Sequence, residues 1–138
     1  MADTLNFSLV SPERELFSGA VKQVDAPGVE GEFGVLPNHA PFMTVLKPGV
    51  VRIHEASGVT PVFVRGGFAD VTPAGLTILA EEAVRLSDVD VAALETEIAR
   101  VRSDATDPGD ETRKKTAAAR LAYLEALKAA VGGGAKAH

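Results

Sequence analysis

The sequence predicts a β + α chain: an N-terminal antiparallel β-sandwich of about 8–10 strands, then a C-terminal α-helical hairpin. Three observations carry this. First, Phe7, Phe17, Phe33, Phe42, Phe63 and Phe68 all lie before residue 70, and seven of the eight prolines lie before residue 74. Second, turn-forming residues at Ser18-Gly19, Pro27-Gly28, Pro48-Gly49, Ser57-Gly58, Gly66-Gly67 and Pro73–Gly75 recur mostly about 8–12 residues apart, the spacing of a sandwich or barrel. Third, the chain beyond residue 87 is rich in alanine and charge, with apolar residues at helical spacing. The boundary therefore falls between 1–87 and 88–138.

Leu5-Asn6-Phe7-Ser8-Leu9 alternates apolar and polar, as a half-buried strand does. Val21, Val24 and Ala26 mark a less regular run, followed by Phe33 with Val35 and by Met43–Leu46. Val51-Arg52-Ile53-His54 alternates again. Val62-Phe63-Val64 is apolar throughout, which predicts a strand covered on both faces. Phe68–Val71 and Leu76–Leu79 complete the strands. No helical period of ten or more residues intervenes, so βαβ units are not expected. The phenylalanines fall largely on expected core positions.

Ser87-Asp88-Val89-Asp90 forms an acid-rich N-cap for a first helix, whose face is Val91, Leu94, Ile98 and Val101. Ser103–Gly109, with Pro108-Gly109, breaks it, and Asp110 and Glu111 open a second helix. Ala117, Leu121, Leu124 and Val131 continue an apolar stripe that Lys128 interrupts. Gly132-Gly133-Gly134 is expected to end the helix, leaving a flexible tail. The helices would run about 14 and about 21 residues, or roughly 21 and 31 Å. Helices this short need packing to persist, and with Tyr123 as its one aromatic the hairpin has a thin core that undocks at low cost.

Composition excludes several functions. Hydrophobic residues make up 46% of the 138, enough for a packed core. The net charge of −5 argues against nucleic acid, which demands a basic face. Without cysteine there is no disulfide, thiol nucleophile or thiolate metal site. No segment has the roughly 18 apolar residues of a membrane helix. Met1–Leu5 carries no secretory n- or h-region, so neither export nor membrane insertion is expected.

No catalytic site is expected. His39, His54 and His138 lack a serine or carboxylate pattern, and there is no Gly-x-Ser-x-Gly elbow or His-Glu-x-x-His metal motif. Gly28-Val29-Glu30-Gly31-Glu32-Phe33-Gly34 is glycine-rich but carries two carboxylates that repel phosphate, and it reads as a tight turn. Pro37-Asn38-His39-Ala40-Pro41 reads as a rigid connection or turn. Arg113, Lys114, Lys115 and Arg120 read on spacing as a solvated helix face partnered by Glu111 and Glu125; the competing reading is a basic face for an acidic protein surface.

Four blocks give these features a family likeness. They are Leu9-Val10-Ser11-Pro12-Glu13-Arg14-Glu15-Leu16-Phe17-Ser18-Gly19, Gly28 through Pro41, Leu46-Lys47-Pro48-Gly49-Val50-Val51-Arg52-Ile53, and Gly66-Gly67-Phe68-Ala69-Asp70-Val71. With the order sandwich then hairpin, the sequence resembles the epsilon subunit of F-type ATP synthases, strongly over 4–90 and loosely beyond.

The resemblance implies a non-catalytic subunit at the foot of a rotary central stalk, peripheral on the cytoplasmic face of the bacterial inner membrane. Its sandwich would pack on the gamma subunit and on the polar loops of the c-ring. Glu30, Gly31, Glu32 and Phe33 match the family's ring-facing loop, and Pro37, Asn38, His39 and Pro41 form the rigid turn near the stalk interface. In such subunits the hairpin lies folded against the sandwich or extends up the stalk to the alpha and beta subunits, and the extended form inhibits ATP hydrolysis, with Arg113, Lys114, Lys115 and Arg120 as the inhibitory basic face here. Some members bind ATP through Ile/Leu-Asp-x-x-Arg-Ala. Here Val89-Asp90-Val91-Ala92-Ala93-Leu94 keeps Asp90 but has Ala93 at the arginine position, and a second arginine pair appears only as Arg120 with Leu124. Losing two charge-assisted hydrogen bonds weakens binding about a hundredfold or more, so no nucleotide or other cofactor is expected. The alternative function is a stand-alone β-sandwich protein-binding module.

Overall fold

The computed structural model describes residues 4–106, 109 and 111–134. Residues 1–3, Pro108, Asp110 and the tail with His138 lie outside the described residues, and with them the readings of the N-terminus, the Pro108 break, the Asp110 start and the tail. Ten strands precede the helices: β1 (Leu5–Val10), β2 (Glu15–Val21), β3 (Gln23–Gly28), β4 (Gly31–Val35), β5 (Phe42–Val45), β6 (Gly49–Glu55), β7 (Gly58–Arg65), β8 (Phe68–Thr72), β9 (Gly75–Leu79) and β10 (Glu82–Arg85). A 3-10 turn at Leu86–Asp88 leads into α1 (Val91–Ala105) and α2 (Glu111–Gly134).

The strands form two five-stranded sheets, ordered β2-β1-β9-β8-β5 and β10-β7-β6-β3-β4. All strand pairs are antiparallel except β1 with β9, which run parallel. Those two strands are brought together from opposite ends of the domain, so no hairpin joins them and the chain passes through the second sheet in between.

Alternation places one face of each sheet inward. Leu5, Phe7 and Leu9 of β1 meet Val24, Ala26, Val51, Ile53, Val62 and Val64 of the second sheet in the core. The two-sided cover expected of β7 is present: Val62 and Val64 point into the sandwich, while Phe63 points out into a second apolar cluster under the helices. The molecule is thus three-layered, sheet on sheet on hairpin, with the outer face of the first sheet uncovered. Of the phenylalanines only Phe7 and Phe63 are fully buried. Phe17, Phe33 and Phe42 are half-buried and pack against the core, so the phenylalanines do fall largely on core positions, with the exposed Phe68 the exception.

Two strands escaped the periodicity. In β2, Ser18-Gly19 is not a break; it pairs with Phe7 and Ser8 of β1, which supplies the ladder that the weak apolar pattern conceals. In β10, Glu82-Ala83-Val84-Arg85 reads as polar but pairs with Val62–Arg65. Pro27-Gly28 likewise lies inside β3, and the chain reverses one step later, with Gly28 opposite Gly31.

Asp90 caps α1, its Oδ1 accepting from the Ala93 amide at 3.1 Å. Leu94, Ile98 and Val101 are buried as expected, and Val91 is exposed. On α2 the buried side chains are Ala117, Tyr123, Leu124 and Leu127. Leu121 and Val131 pack only partly, so the inward face is rotated from the expected stripe. The helix also continues through Gly132–Gly134 where an end was expected; the preceding alanine-rich turns extend it, because propagation is far cheaper than nucleation. No helix among the described residues is long and apolar enough to cross a membrane.

Candidate functional site

The side chains of two sequence motifs converge at one end of the sandwich. The turn Val29-Glu30 joins β3 to β4 at a sheet edge, leaving Glu30, Gly31 and Glu32 exposed. Along β4 the side chains alternate, so Phe33 turns inward as Glu32 turns outward. Phe33 meets the Phe42 ring edge-on, centroids 5.4 Å apart. Gly28 cannot be enlarged here, since a Cβ would lie 2.8 Å from the Gly31 carbonyl oxygen and 3.1 Å from the Phe33 ring. Two carboxylates are therefore presented on a tip anchored by an aromatic.

The Pro37 segment forms a turn. The His39 amide donates to the Leu36 carbonyl at 3.2 Å, and Asn38 takes a φ of 68°. Proline followed by a positive φ is the pattern of a type II turn. The His39 ring sits 5.2 Å from Phe42. Phe42 thus joins the turn to the Glu30–Phe33 tip, uniting two groups of residues that the sequence places apart.

Beside this end lies a surface that the one-dimensional pattern missed. Val10 is paired with Leu79, Leu79 with Phe68, and Phe68 with Val45. The four form one row across four strands on the uncovered sheet face. Leu79, Phe68 and Val45 are 41%, 37% and 57% exposed. The Val29 amide donates to the Val45 carbonyl at 3.0 Å, carrying the row to the carboxylate tip. An apolar strip on an uncovered sheet face is a candidate protein-binding surface.

The basic residues of α2 divide. Arg113 pairs with Asp104 of α1 at 3.6 Å. Lys115 is exposed and Lys114 half-buried. Arg120 turns onto the sandwich, its Nη1 donating to the Glu82 carboxylate at 3.1 and 3.2 Å and its Nη2 to Glu97 at 3.4 Å. Glu125, one of the expected partners, is taken by Arg102 at 2.7 Å. Arg65, directly opposite Glu82 in the sheet, donates its Nε–H to the same carboxylate at 2.7 Å. Burial opposes ionisation of Glu82, but the hydrogen bonds from Arg65 and Arg120 outweigh it and hold the group below the usual carboxylate range. Burial, reinforced by the Glu82 charge, pushes the Tyr123 phenol up.

Asp90 serves as the α1 cap, and its bond to the Ala93 amide occupies the positions compared above with a nucleotide motif. No carboxylate–serine pattern surrounds His54 in the sequence, yet its Nε2 lies 2.8 Å from Asp25 Oδ2 across β3 and β6. The Gln23 amide donates to the other Asp25 oxygen at 2.6 Å. Among the described residues no hydroxyl joins this pair, and no His/Asp/Glu group of three or more could hold a metal.

Residues 4–86 match the family described as ATP synthase, Delta/Epsilon chain, beta-sandwich domain. The chain is 58% identical over 134 residues to the ATP synthase epsilon chain of Hyphomonas neptunium, covering 95% of this chain and 98% of the relative. It is 53% identical over 129 residues to that of Maricaulis maris, covering 94% and 97%. Among solved structures it resembles a chain in the Euglena gracilis mitochondrial ATP synthase OSCP/F1/c-ring assembly, with a TM-score of 0.78, 26% identity, and coverage of 95% of this chain and 83% of that one. A chain in the central stalk/c-ring structure of Tetrahymena thermophila mitochondrial ATP synthase shares the fold, with a TM-score of 0.58, 18% identity, and coverage of 91% and 95%. A sandwich with this match, followed by a two-helix hairpin and continuous with epsilon chains over almost its whole length, belongs to the ATP synthase epsilon chain family.

Proposed function

We propose that this chain is a rotor subunit of the central stalk, linking proton-driven rotation of the c-ring to ATP synthesis in the catalytic head without making or breaking bonds itself. The observation that carries the reading is the uncovered row Val10, Leu79, Phe68 and Val45 running to the carboxylate tip. One face offers apolar area to a shaft, the gamma subunit. The adjoining end offers Glu30 and Glu32 to the polar loops of the ring, where charge sets register more than affinity. A close-packed sandwich deforms little under load, which suits an adaptor that transmits torque.

The division of labour follows the layers: 1–87 is the gamma- and ring-binding platform, and 88–138 the hairpin that meets the alpha and beta subunits. Arg113, Lys114, Lys115 and Arg120 supply the charge by which the hairpin restrains ATP hydrolysis. The subunit is peripheral, on the cytoplasmic face of the bacterial inner membrane, and takes no nucleotide, because Asp90 is spent on the α1 cap and Ala93 offers no guanidinium.

Two measurements test this. The chain should co-purify with gamma and a membrane ATPase, and Glu32→Lys should lower ATP-driven proton pumping in reconstituted membranes while the fold stays intact. Unchanged pumping in that variant refutes the tip assignment. ATP hydrolysis by the complex with and without residues 88–138 tests the hairpin.

A further inference from the structure

The uncovered face of the first sheet carries a second row beside the apolar one. Ser18 pairs with Ser8, Ser8 with Thr77, Thr77 with Asp70 and Asp70 with Met43, so one line crosses all five strands. Directly paired residues share a face, and Ala69 and Val71, on either side of Asp70, are buried in the core. Asp70 is the one charged residue in β1, β5, β8 and β9. It is half-buried, and among the described residues no ion pair or hydrogen bond holds its carboxylate. Thr77 and Met43, directly opposite it on the two flanking strands, bring no positive charge. Two residues back along β8, Phe68 joins Val10, Val45 and Leu79 in lining a shallow apolar hollow of about 460 Å³. Alternate residues of a strand stand about 7 Å apart, so the hollow and the carboxylate are neighbours on one surface.

We infer that Asp70 selects what docks on this face by requiring a basic side chain beside an apolar one. The segment of gamma seated here then presents an arginine or lysine about 7 Å from its apolar anchor. A partner broad enough to fill the hollow also covers Asp70. A carboxylate stripped of water against an apolar surface is heavily disfavoured, and Asp70 has no neighbour in its own sheet to balance its charge. A guanidinium or ammonium opposite it removes that penalty. An apolar strip by itself tolerates sliding along its length, whereas a single charge on an otherwise neutral face fixes one register. Arginine suits the position best, since its fork spans both carboxylate oxygens and leaves further N–H groups for the Thr77 hydroxyl. Asp70 has this role only on the shaft-facing reading above, to which it adds the charge that the apolar row lacks.

The test titrates gamma calorimetrically with the full chain, with Asp70→Asn and with Asp70→Lys, each checked by thermal melting. Asp70→Asn should bind about tenfold more weakly, and Asp70→Lys at least about a hundredfold. Raising salt from about 50 to about 500 mM should weaken the parent complex more than the Asp70→Asn complex, a readout that altered packing alone does not move. One arginine or lysine of gamma, changed to glutamate, should lose affinity for the parent chain and regain it with Asp70→Lys. Equal affinities of the parent chain and Asp70→Asn at both salt levels, or the lack of any such reciprocal residue on a gamma that still binds, overturn the role of Asp70 and leave the apolar row standing. No binding of gamma by the parent chain removes the shaft-facing reading, and the role of Asp70 with it.

Discussion

The Phe63 and Tyr123 rings meet with centroids 5.6 Å apart and planes inclined at 55°, joining the outer face of β7 to the inner face of α2. Tyr123 is the one tyrosine in a chain without tryptophan. The contact is therefore both the aromatic centre of the second apolar cluster and a spectroscopic label for it. Tyr123→Ala should destabilise hairpin docking by about 3 kcal/mol, within the range for removing a large buried ring. The sandwich core does not include Tyr123. Helical circular dichroism should accordingly melt earlier than the β signal, where the parent chain shows closer transitions.

Two glycines with positive φ should respond very differently to alanine. Gly67 has a φ of 99°, and a Cβ there would lie 1.9 Å from the Leu79 carbonyl oxygen and 2.8 Å from the Ala80 Cα. Gly31 has a φ of 134° and open space around it. Gly67→Ala must move the backbone of a neighbouring strand end and should cost at least about 4 kcal/mol. Gly31→Ala bears only conformational strain, about 1–3 kcal/mol. Urea unfolding of the two variants checks the order.

Docking of the hairpin should weaken at both ends of the pH scale. Glu82 has its folded pKa lowered from the ordinary 4.5. Its contribution is complete above that ordinary value and is lost as pH falls through the lower folded one. Tyr123 has its pKa raised from 10.0, so its contribution is complete below 10.0 and is lost as pH rises through the folded value. The tyrosine signal should report release at acid pH first in the hairpin. In Glu82→Gln the acid limb should flatten while the alkaline limb remains.

How much of this was legible depends on whether the determining contact is local. Val62-Phe63-Val64 announced a strand covered twice, and the structure supplies both covers. The α1 stripe was equally plain, because Leu94, Ile98 and Val101 lie on one helical face. β10 was hidden because Glu82 and Arg85 are satisfied by distant groups: Arg65 for the first, and the Leu16 carbonyl, to which Arg85 donates, for the second. Phe68 read as core by type, yet in β8 it lies on the opposite face from buried Ala69 and Val71. The Glu30–Phe33 tip and the Pro37–Pro41 turn were visible as motifs, but their joining through Phe42 is a tertiary fact. The exposed row needs the pairing of residues 10, 79, 68 and 45, which no local window contains.

That row yields the sharpest test of the proposed stalk-facing surface. Phe68 stands between Leu79 and Val45 in register, near the middle of the strip, where binding energy tends to concentrate. Its side chain is 37% exposed in the free chain, so Phe68→Asp gives up part of the ring's packing and should cost about 1–2 kcal/mol of folding stability, well short of unfolding the sandwich. In complex, a carboxylate there would be desolvated against an apolar partner and left unpaired. Affinity for gamma should fall at least about a hundredfold, a cost of roughly 3 kcal/mol. Ser57→Asp, at the exposed turn between β6 and β7, serves as the control and should leave binding unchanged. Calorimetric titration of gamma with both variants, alongside thermal melts, separates the surface from the fold. Equal affinities for the two would remove the row from the interface and return the docking face to the second sheet or the hairpin.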